Sequence, residues 1–467
     1  MDPKAFEMWS KRAASWSRQY LETLRERPVR PQVTPGEIAA QLPPTAPEKP
    51  ESMEEIFADF ERIVPGGMTH WQHPRFFAYF PANASPVSMI AEQLANTMAA
   101  QCMLWQTSPA ATEIEGVMVR WLRDAMGLSD HWSGVIHDTA TTATLCAVLT
   151  LRERALDWRG LESGLFGEKP VRVYASAEGH SSIDKAVRLA GLGQANLVKV
   201  ETDDDLSMCP EALAAAIRGD RERGLVPGGV VVCIGGTGTG ATDRAEELIA
   251  VAKAEDLYVH VDAAWAGSAM ICPELRPLWD GVDGADSIVF NPHKWLGAQF
   301  DCSVQFIADP TPQINTLGLR PHYLKTLEHE TVVNYNEWTV PLGRRFRALK
   351  LWFVLRAYGL EGLRERIRNH MQWVGEVEDR LREHPNFEIT TPRRFSLFTF
   401  RYRPAGATDA DADAATASLL ERVNNDGRIY LTQTRHGGRF VIRMTAGQFD
   451  CTREDVLMAY DVLTELA

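Results

Sequence analysis

The sequence offers little that would suit a membrane protein, a secreted disulfide framework or a metal centre. No apolar run within its 467 residues approaches the length of a membrane span. The first residues, MDPKAFEMWSKR, lack the apolar stretch of a secretory signal. The seven cysteines are scattered singly and form no CxxC pair, which argues against disulfides and against a zinc site. We therefore expect a cytoplasmic protein without a bound metal.

Positive charge is also scarce in this chain. The 49 lysines and arginines are outnumbered by 62 acidic residues, which gives a net charge of −13 at pH 7. Broad attraction to nucleic acid or to an anionic membrane is therefore not expected. One basic cluster, at Arg344, Arg345, Arg347 and Arg356, is interpreted as salt-bridged helix residues. The remaining composition, 45% hydrophobic and 24% charged, is that of a globular protein with room for two or three domains.

The region from about residue 135 to 300 alternates short apolar runs with helical patterns. One helical pattern begins at Ser182 and another covers 244–257. Short apolar strands separated by helices are typical of an α/β fold, in which a mostly parallel sheet carries helices on both faces. The strand-like runs cover residues 132–136, 171–176, 229–235, 258–264 and 285–291.

The two ends of the chain differ from this central region. Residues 3–24 predict a helix whose apolar residues recur at alternating steps of three and four, and a proline-rich connector follows at 41–52. The apolar seam of that helix packs either on its own domain or on a partner subunit, and its residues are Phe6, Trp9, Ala13, Trp16 and Tyr20. The C-terminal part shows a helix over 344–358, strand-like runs over 394–402 and 439–446, and a closing helix over 452–466.

Polar residues follow the predicted strands of the central region. Asp262 lies near the end of a strand-like run, His180 and Lys294 come shortly after such runs, and a threonine-rich turn at 139–142 opens a helix. Ligands of open α/β sheets bind at the carboxyl ends of the strands, so these groups are expected on one rim. Each group alone has an ordinary interpretation as a cap, a turn or a surface residue. The glycine loop at 235–240 reads GxGxG rather than GxGxxG, and is only a weak indication of a dinucleotide site.

Together these groups match the needs of pyridoxal phosphate. That cofactor requires a lysine amine for covalent attachment and a carboxylate beside its pyridine nitrogen. It also requires an anion site, which a hydroxyl-rich helix N-terminus supplies, and a flat group against its ring. The sequence offers Lys294, Asp262, the 139–142 turn and His180 for these four tasks.

Six stretches carry a resemblance to a known family. The chain resembles the pyridoxal-phosphate-dependent group II decarboxylases, and within them the aromatic-L-amino-acid decarboxylases. The resemblance implies fold type I, the aspartate-aminotransferase-like fold, and a homodimer whose active sites lie at the subunit interface. The stretches are THWQHPRFFAYFPANAS (69–85), SPAATEIEGVM (108–118), GHSSIDKA (179–186), HVDAAWAGSAMICPELR (260–276), NPHKWLGAQFDCS (291–303) and PLGRRFRALKLWFVLRAYGLEGL (341–363).

The resemblance also implies residue roles. Lys294 is expected to bind the cofactor covalently, Asp262 to pair with the pyridine nitrogen, and His180 and Ala264 to lie against the two ring faces. The implied phosphate and cofactor contacts are Thr139, Ala140, Thr141, Thr237, Asn291 and His293, with Leu342 and Gly343 contributed by the partner subunit. The implied substrate pocket contains Trp71, Tyr79, Phe80 and Pro81, with Met103 from the partner subunit. Met103 stands where animal relatives carry phenylalanine, so substrate preference does not transfer.

The implied domains are an N-terminal helical segment (1–84) that packs on the dimer partner, a large cofactor-binding domain (85–345) and a small C-terminal domain (346–467). Residues 309–343 show no sustained core pattern, and a loop this long is usually functional or disordered. In the family the corresponding loop, about 309–340 here, closes over the substrate and carries a tyrosine, which the match places at Tyr323.

The expected reaction is decarboxylation of an aromatic L-amino acid to an amine and CO2. Tyr323 is the expected proton donor, and relatives with phenylalanine there form aldehyde instead. The first alternative is therefore an aromatic aldehyde synthase. An aminotransferase, using Arg435 or Arg443 for the substrate carboxylate, and a cofactor-binding protein without activity are further alternatives. Tryptophan, phenylalanine, tyrosine and dopa all remain open as substrates.

Overall fold

The computed structural model describes residues 1–319 and 331–467. The chain divides into two compact units. The terminal unit comprises residues 1–81, 373–390 and 399–467, and the central unit comprises residues 82–372 and 391–398. The N-terminal segment is thus grouped with C-terminal residues in a single unit. Among the helices of the described residues, none combines the length and the apolar character needed to cross a membrane.

Two helices open the terminal unit, α1 (Pro3–Glu22) and α2 (Met53–Ile63). Helix α1 begins where the Asp2 carboxylate accepts the Ala5 N–H at 2.8 Å. The aromatic seam of α1 packs on α2, because the Trp9 ring lies 5.7 Å from Phe57 and the Trp16 ring 4.8 Å from Phe60. Packing of the seam within its own chain is therefore found, and contact with a partner subunit stays a prediction.

The central unit is built on a seven-stranded sheet. Its strands are β1 (Ser133–His137), β2 (Val171–Ser176), β3 (Leu197–Val200), β4 (Val226–Cys233), β5 (Tyr258–Asp262), β6 (Ser287–Phe290) and β7 (Ser303–Ile307). They are ordered β1-β7-β6-β5-β4-β2-β3, and only β7 runs antiparallel to its neighbours. This confirms the predicted mostly parallel sheet, and β2 has the predicted bounds.

Helices accompany the strands of this sheet. They are α3 (Pro86–Thr97), α4 (Pro109–Met126), α5 (Ala140–Ala155), α6 (Arg159–Ser163), α7 (Ser181–Leu189), α8 (Pro210–Glu222), α9 (Ala245–Ala254) and α10 (Thr311–Leu317). One core cluster joins α5 and α7 to β2 and β4, where Leu151, Val173, Ile183 and Val231 are fully buried. Burial of such side chains contributes about 1.5–3 kcal/mol each. The packing of this cluster holds the N-terminal ends of α5 and α7 at the carboxyl edge of the sheet.

The described parts of residues 309–343 contain a helix and packed side chains. Helix α10 occupies Thr311–Leu317, and Tyr335 and Trp338 pack into a small core with Val135 and Ile307. Such packing escaped prediction because Tyr335 begins and Trp338 caps a single short turn of 3-10 helix, which is too short to show a period in the sequence. Tyr323 lies outside the described residues.

The C-terminal part follows the long helix α11 (Arg347–Glu383). That helix is interrupted at Gly359, whose φ of +61° is accessible to glycine, and it continues well beyond the predicted end at 358. The remaining elements are β8 (Phe387–Arg394), β9 (Leu397–Tyr402), α12 (Asp409–Asp426), β10 (Thr432–His436), β11 (Arg439–Thr445) and α13 (Arg453–Glu465). The strands form a second sheet in the order β10-β11-β9-β8.

Candidate active site

The carboxyl ends of β1, β2, β4, β5 and β6 surround one cavity of about 180 Å³ in the central unit. Parallel strands place their carboxyl ends along the same edge, which is why residues far apart in the chain meet here. The cavity is lined by Thr139, Ala140, Thr141, His180, Ser182, Cys233, Gly235, Gly236, Thr237, Asp262, Ala264, Trp265, Asn291, His293 and Lys294. All ten residues predicted for this chain's own cofactor contacts are among them.

Lys294 occupies a tight turn after β6. Its backbone N–H donates to the Asn291 carbonyl at 2.9 Å, and its own carbonyl accepts the Asn83 side-chain amide at 2.6 Å. The next two residues, Trp295 and Leu296, are buried at 1% and 0% exposure. Lys294 itself is partly buried and lines the cavity, which favours a role in the site over that of an ordinary surface cation.

Asp262 supplies the buried carboxylate of the cavity. It is the last residue of β5 and only 5% exposed, and one of its oxygens accepts the Ala264 N–H at 3.1 Å. Burying a carboxylate without a charged partner is costly, so this position is suited to a cationic group of a ligand. A protonated ring nitrogen meets that requirement.

His180 begins α7. Its Nδ1 accepts the Ser182 backbone N–H at 3.1 Å and lies 2.9 Å from the Ser182 hydroxyl. An accepting Nδ1 places the proton of the neutral ring on Nε2. Desolvation by surrounding protein atoms is the main cause that lowers the pKa of His180; the Asp262 carboxylate raises it and the Lys294 ammonium lowers it. His180 is therefore a neutral, flat ring in the field of both groups.

The N-terminus of α5 opens onto the cavity. Thr139 caps the helix through its hydroxyl, which accepts the Thr142 N–H at 3.4 Å, and its own N–H donates to Asp138 at 2.7 Å. The first N–H groups of a helix have no partner within the helix and carry the positive end of its dipole. Ala140 and Thr141 lie at this end, which is suited to a phosphate.

Two more donors come from the turn that precedes Lys294. The Asn291 amide oxygen is occupied by the Ser303 hydroxyl at 2.6 Å, which leaves the amide nitrogen as the donating group. His293 Nδ1 accepts the Cys302 N–H at 2.9 Å, so the ring proton lies on Nε2. Burial lowers the pKa of His293 to about 3, with a further contribution from Lys294. Both side chains therefore act as neutral donors.

The glycine loop after β4 forms a close wall of the cavity. A Cβ at Gly235, where φ is +81°, would lie 2.5 Å from Ala266, and one at Gly236 would lie 3.1 Å from the Glu178 carbonyl. The loop is tied to the turn before His180, since the Thr239 hydroxyl donates to Glu178 at 2.9 Å. The positive φ and the close approach at Gly235 favour glycine there, and the loop places Thr237 against the cavity.

The donors and acceptors described above fit pyridoxal phosphate. An amine, a buried carboxylate and an anion-binding helix end occupy separate parts of one wall. Residues 35–403 match the family model of the pyridoxal-dependent decarboxylase conserved domain. The chain belongs to the pyridoxal-dependent decarboxylase family. Its cofactor is therefore pyridoxal 5'-phosphate, and it is a decarboxylase of fold type I.

Relatives within this family agree over the full chain. Tyrosine decarboxylase 1 of Narcissus pseudonarcissus is 36% identical, and the match covers 100% of this chain and 93% of the relative. Phenylacetaldehyde synthase of Arabidopsis thaliana is also 36% identical, with 100% and 96% covered. The crystal structure of Oryza sativa TDC with PLP and tryptamine is 35% identical and has a TM-score of 0.97, covering 100% of this chain and 98% of that chain.

Some predicted site residues do not line the cavity of this chain. Met103, Leu342 and Gly343 belong to the central unit but lie outside the lining set, and Leu342 is 45% exposed. Tyr323 is outside the described residues. The predicted substrate residues Trp71, Tyr79, Phe80 and Pro81 belong to the terminal unit.

Two of these residues, Trp71 and Tyr79, are part of an aromatic cluster within the terminal unit. The Trp71 ring lies 4.6 Å from Phe76 and 5.9 Å from Tyr79, and the Tyr79 ring lies 6.4 Å from Tyr430. Trp71 and Tyr79 nevertheless stay 40% and 45% exposed in the isolated chain. The cluster therefore presents flat apolar surface that a ring can cover.

A buried cation accompanies the aromatic cluster. Arg443 on β11 is only 3% exposed, and within the described part of the chain its three guanidinium nitrogens have no hydrogen-bond partner. Burial lowers the pKa of Arg443 to about 9, and the Tyr79 hydroxyl counteracts part of that shift. An unpaired buried guanidinium is unfavourable, and contact with an anionic group would stabilise it.

Five cavity residues were not predicted from the sequence. Ser182, Gly235, Gly236 and Trp265 lie within or beside the stretches that carried the prediction, but their place at the cavity depends on the tertiary fold. Cys233 ends β4 and pairs with Asp262 on β5. Its place at the cavity follows from this pairing of the two strands. Burial raises the pKa of the Cys233 thiol well above its usual value, so it packs as a small apolar group.

Proposed function

We propose that this chain converts aromatic L-amino acids into aromatic amines and CO2. The observation that carries the proposal is the single cavity in which Lys294, Asp262, His180 and the start of α5 meet. Support for an aromatic substrate comes from the aromatic cluster at Trp71 and from relatives whose names refer to tyrosine, tryptamine and phenylacetaldehyde.

The residue roles form part of this proposal. Lys294 holds the cofactor covalently and exchanges it for the amine of the substrate. Asp262 keeps the pyridine nitrogen protonated, while His180 and Ala264 contact the ring. When bound, pyridoxal phosphate supplies an electron sink for the electron pair released as CO2 departs. The phosphate is held by Thr139, Ala140, Thr141, Asn291 and His293, with Thr237 beside the cofactor.

The substrate ring contacts Trp71, Tyr79, Phe80 and Pro81. We further propose a homodimer with shared sites, in which Met103, Leu342 and Gly343 of the partner subunit complete each pocket. The exposure of Leu342, at 45%, supports this arrangement, because an apolar side chain gains stability by becoming covered. A cytoplasmic location is part of the same proposal.

Tyr323 donates a proton to the α-carbon of the substrate after CO2 has left. A phenolic hydroxyl is a suitable general acid when it is brought within hydrogen-bond distance of the carbon that it protonates. The tyrosine at this position and the histidine at 180 favour amine over aldehyde as the product. The aldehyde synthase among the relatives, at 36% identity, keeps oxidative release of an aldehyde as the second candidate.

Four measurements on the purified protein test the proposal. The first is visible absorbance after incubation with pyridoxal phosphate, and the others are CO2, amine and aldehyde formed from tryptophan, phenylalanine, tyrosine and dopa. Lys294→Ala is expected to abolish the visible band and the release of CO2. Lys185→Ala, an exposed lysine on α7, is the matched control and should change neither. A Lys294→Ala variant that keeps full CO2 release contradicts the proposal.

A further inference from the structure

The residue after Lys294 is anchored to a distant helix. Trp295 is 1% exposed, and its indole N–H donates to His370 Nδ1 at 2.9 Å. The two rings are nearly parallel, with an angle of 7° and centroids 6.5 Å apart. His370 lies on α11, is fully buried and is 75 residues away in the chain. This contact joins α11 to the turn that carries the lysine.

The other side of the Trp295 ring faces the cavity wall. Its centroid lies 5.6 Å from that of Trp265, which lines the cavity. A displacement of Trp295 would therefore disturb two parts of the site at once, the cavity wall and the backbone of Lys294. Close-packed interiors transmit such displacements because they leave no space to absorb them.

The Lys294 backbone is held from a second direction. Asn83 is 2% exposed; its side-chain amide donates to the Lys294 carbonyl at 2.6 Å, and its backbone N–H donates to the His293 carbonyl at 2.9 Å. Asn83 and His370 thus act on consecutive residues, Lys294 and Trp295, from opposite ends of the sequence of the central unit.

We propose that Asn83 and His370 are positioning residues that fix the backbone of Lys294 and thereby the direction of its amine in the cavity. The inference rests on the proposed function only for the covalent role of Lys294. His370 is suited to this task because burial, assisted by the charge of Arg366, lowers its pKa to about 3. The ring stays neutral at ordinary pH, so its Nδ1 remains an acceptor for the indole N–H.

The test compares three variants of the holoenzyme. His370→Leu keeps the approximate volume but removes the acceptor, whereas His370→Asn returns an acceptor near the Nδ1 position. Ile367→Ala, a fully buried change on the same helix, is the control for simple loss of stability. The readouts are the pH titration of the visible absorbance, kcat and KM, and the unfolding temperature.

His370→Leu is expected to shift the titration midpoint of the visible band by roughly half a pH unit or more. It should also lower kcat about tenfold, which corresponds to ~1.4 kcal/mol, with KM nearly unchanged. His370→Asn should restore both quantities to within about threefold of wild type. Ile367→Ala should lower the unfolding temperature and leave the titration midpoint unchanged.

A second pair of variants strengthens the test. Asn83→Ser removes the side-chain amide that donates to the Lys294 carbonyl. It serves as the main test variant if His370→Leu does not fold. Each single variant lowers kcat by some factor. Because both residues fix the same turn, the factor by which the double variant lowers kcat should be smaller than the product of the two single factors.

The proposal is overturned if His370→Leu titrates and turns over like Ile367→Ala, or if His370→Asn fails to rescue. A wild-type protein that develops no visible band with pyridoxal phosphate would instead refute the proposed function and this inference together. A wild-type band with an unshifted His370→Leu titration would refute the positioning role alone.

Discussion

Replacing Arg344 by methionine should remove several kcal/mol of stability, because it leaves a buried carboxylate without its cation. The Arg344 guanidinium lies 2.6 Å from Glu115, and the two side chains are 2% and 3% exposed. Arg344 also donates to the Ile136 carbonyl at 2.9 Å and lies over the Tyr335 ring at 4.9 Å. The Glu115 carboxylate also accepts the Ile136 N–H at 2.8 Å.

The magnitude follows from the asymmetry of buried ion pairs. Removing one partner of such a pair costs about 3–5 kcal/mol, because the remaining charge stays desolvated. A domain has roughly 5–15 kcal/mol of stability in total, so Arg344→Met should come close to unfolding the central unit. The matched control is Arg368→Met, whose partner Glu274 lies 2.6 Å away with both side chains about half exposed (49% and 48%). That change should cost at most ~1 kcal/mol.

Urea unfolding followed by far-ultraviolet circular dichroism measures both variants. A double variant, Arg344→Met with Glu115→Met, removes the stranded charge and should recover most of the loss. The reasoning is refuted if Arg344→Met shifts the unfolding midpoint no more than Arg368→Met, or if the double variant is less stable than Arg344→Met alone.

Three further predictions concern single side chains. Tyr323→Phe should shift the product from amine towards aldehyde with peroxide and ammonia in the presence of oxygen, because the proton donor is lost; an unchanged yield of amine alone would contradict this. Arg443→Met should raise the unfolding temperature of the ligand-free protein, since it removes an unpaired buried charge, and a lowered temperature in thermal scans would argue against it. Burial lowers the pKa of Lys350 to about 8, below its unfolded value, so the unfolded state binds more protons between about pH 8 and 10.5 and stability should rise across that window. Comparison with Lys350→Met at several pH values isolates this contribution, and a stability difference that does not vary with pH would exclude it.

Much of the fold and of the cofactor wall could be predicted from the sequence for one physical reason. Parallel strands buried on both faces read as short apolar runs, and their carboxyl ends share an edge. A polar residue at or shortly after the end of such a run is therefore placed by topology, as Asp262, His180 and Lys294 were. The glycine contacts at Gly235 and Gly236 could not be predicted, because they depend on atoms of residues that the tertiary fold brings close to the loop.

The same distinction explains why the support of Lys294 escaped prediction while Lys294 itself did not. A reactive group is marked by its own chemistry and by the strand that precedes it, both of which are local in sequence. The groups that hold it are chemically ordinary, an asparagine 211 residues before it and a histidine 75 residues after its neighbour. Their significance lies in burial and direction, since an amide or imidazole in the interior must be hydrogen-bonded and therefore fixes whatever it bonds. Substitutions that alter the direction of the amine are thus expected at interior positions remote in sequence, where the cavity lining alone would not place them.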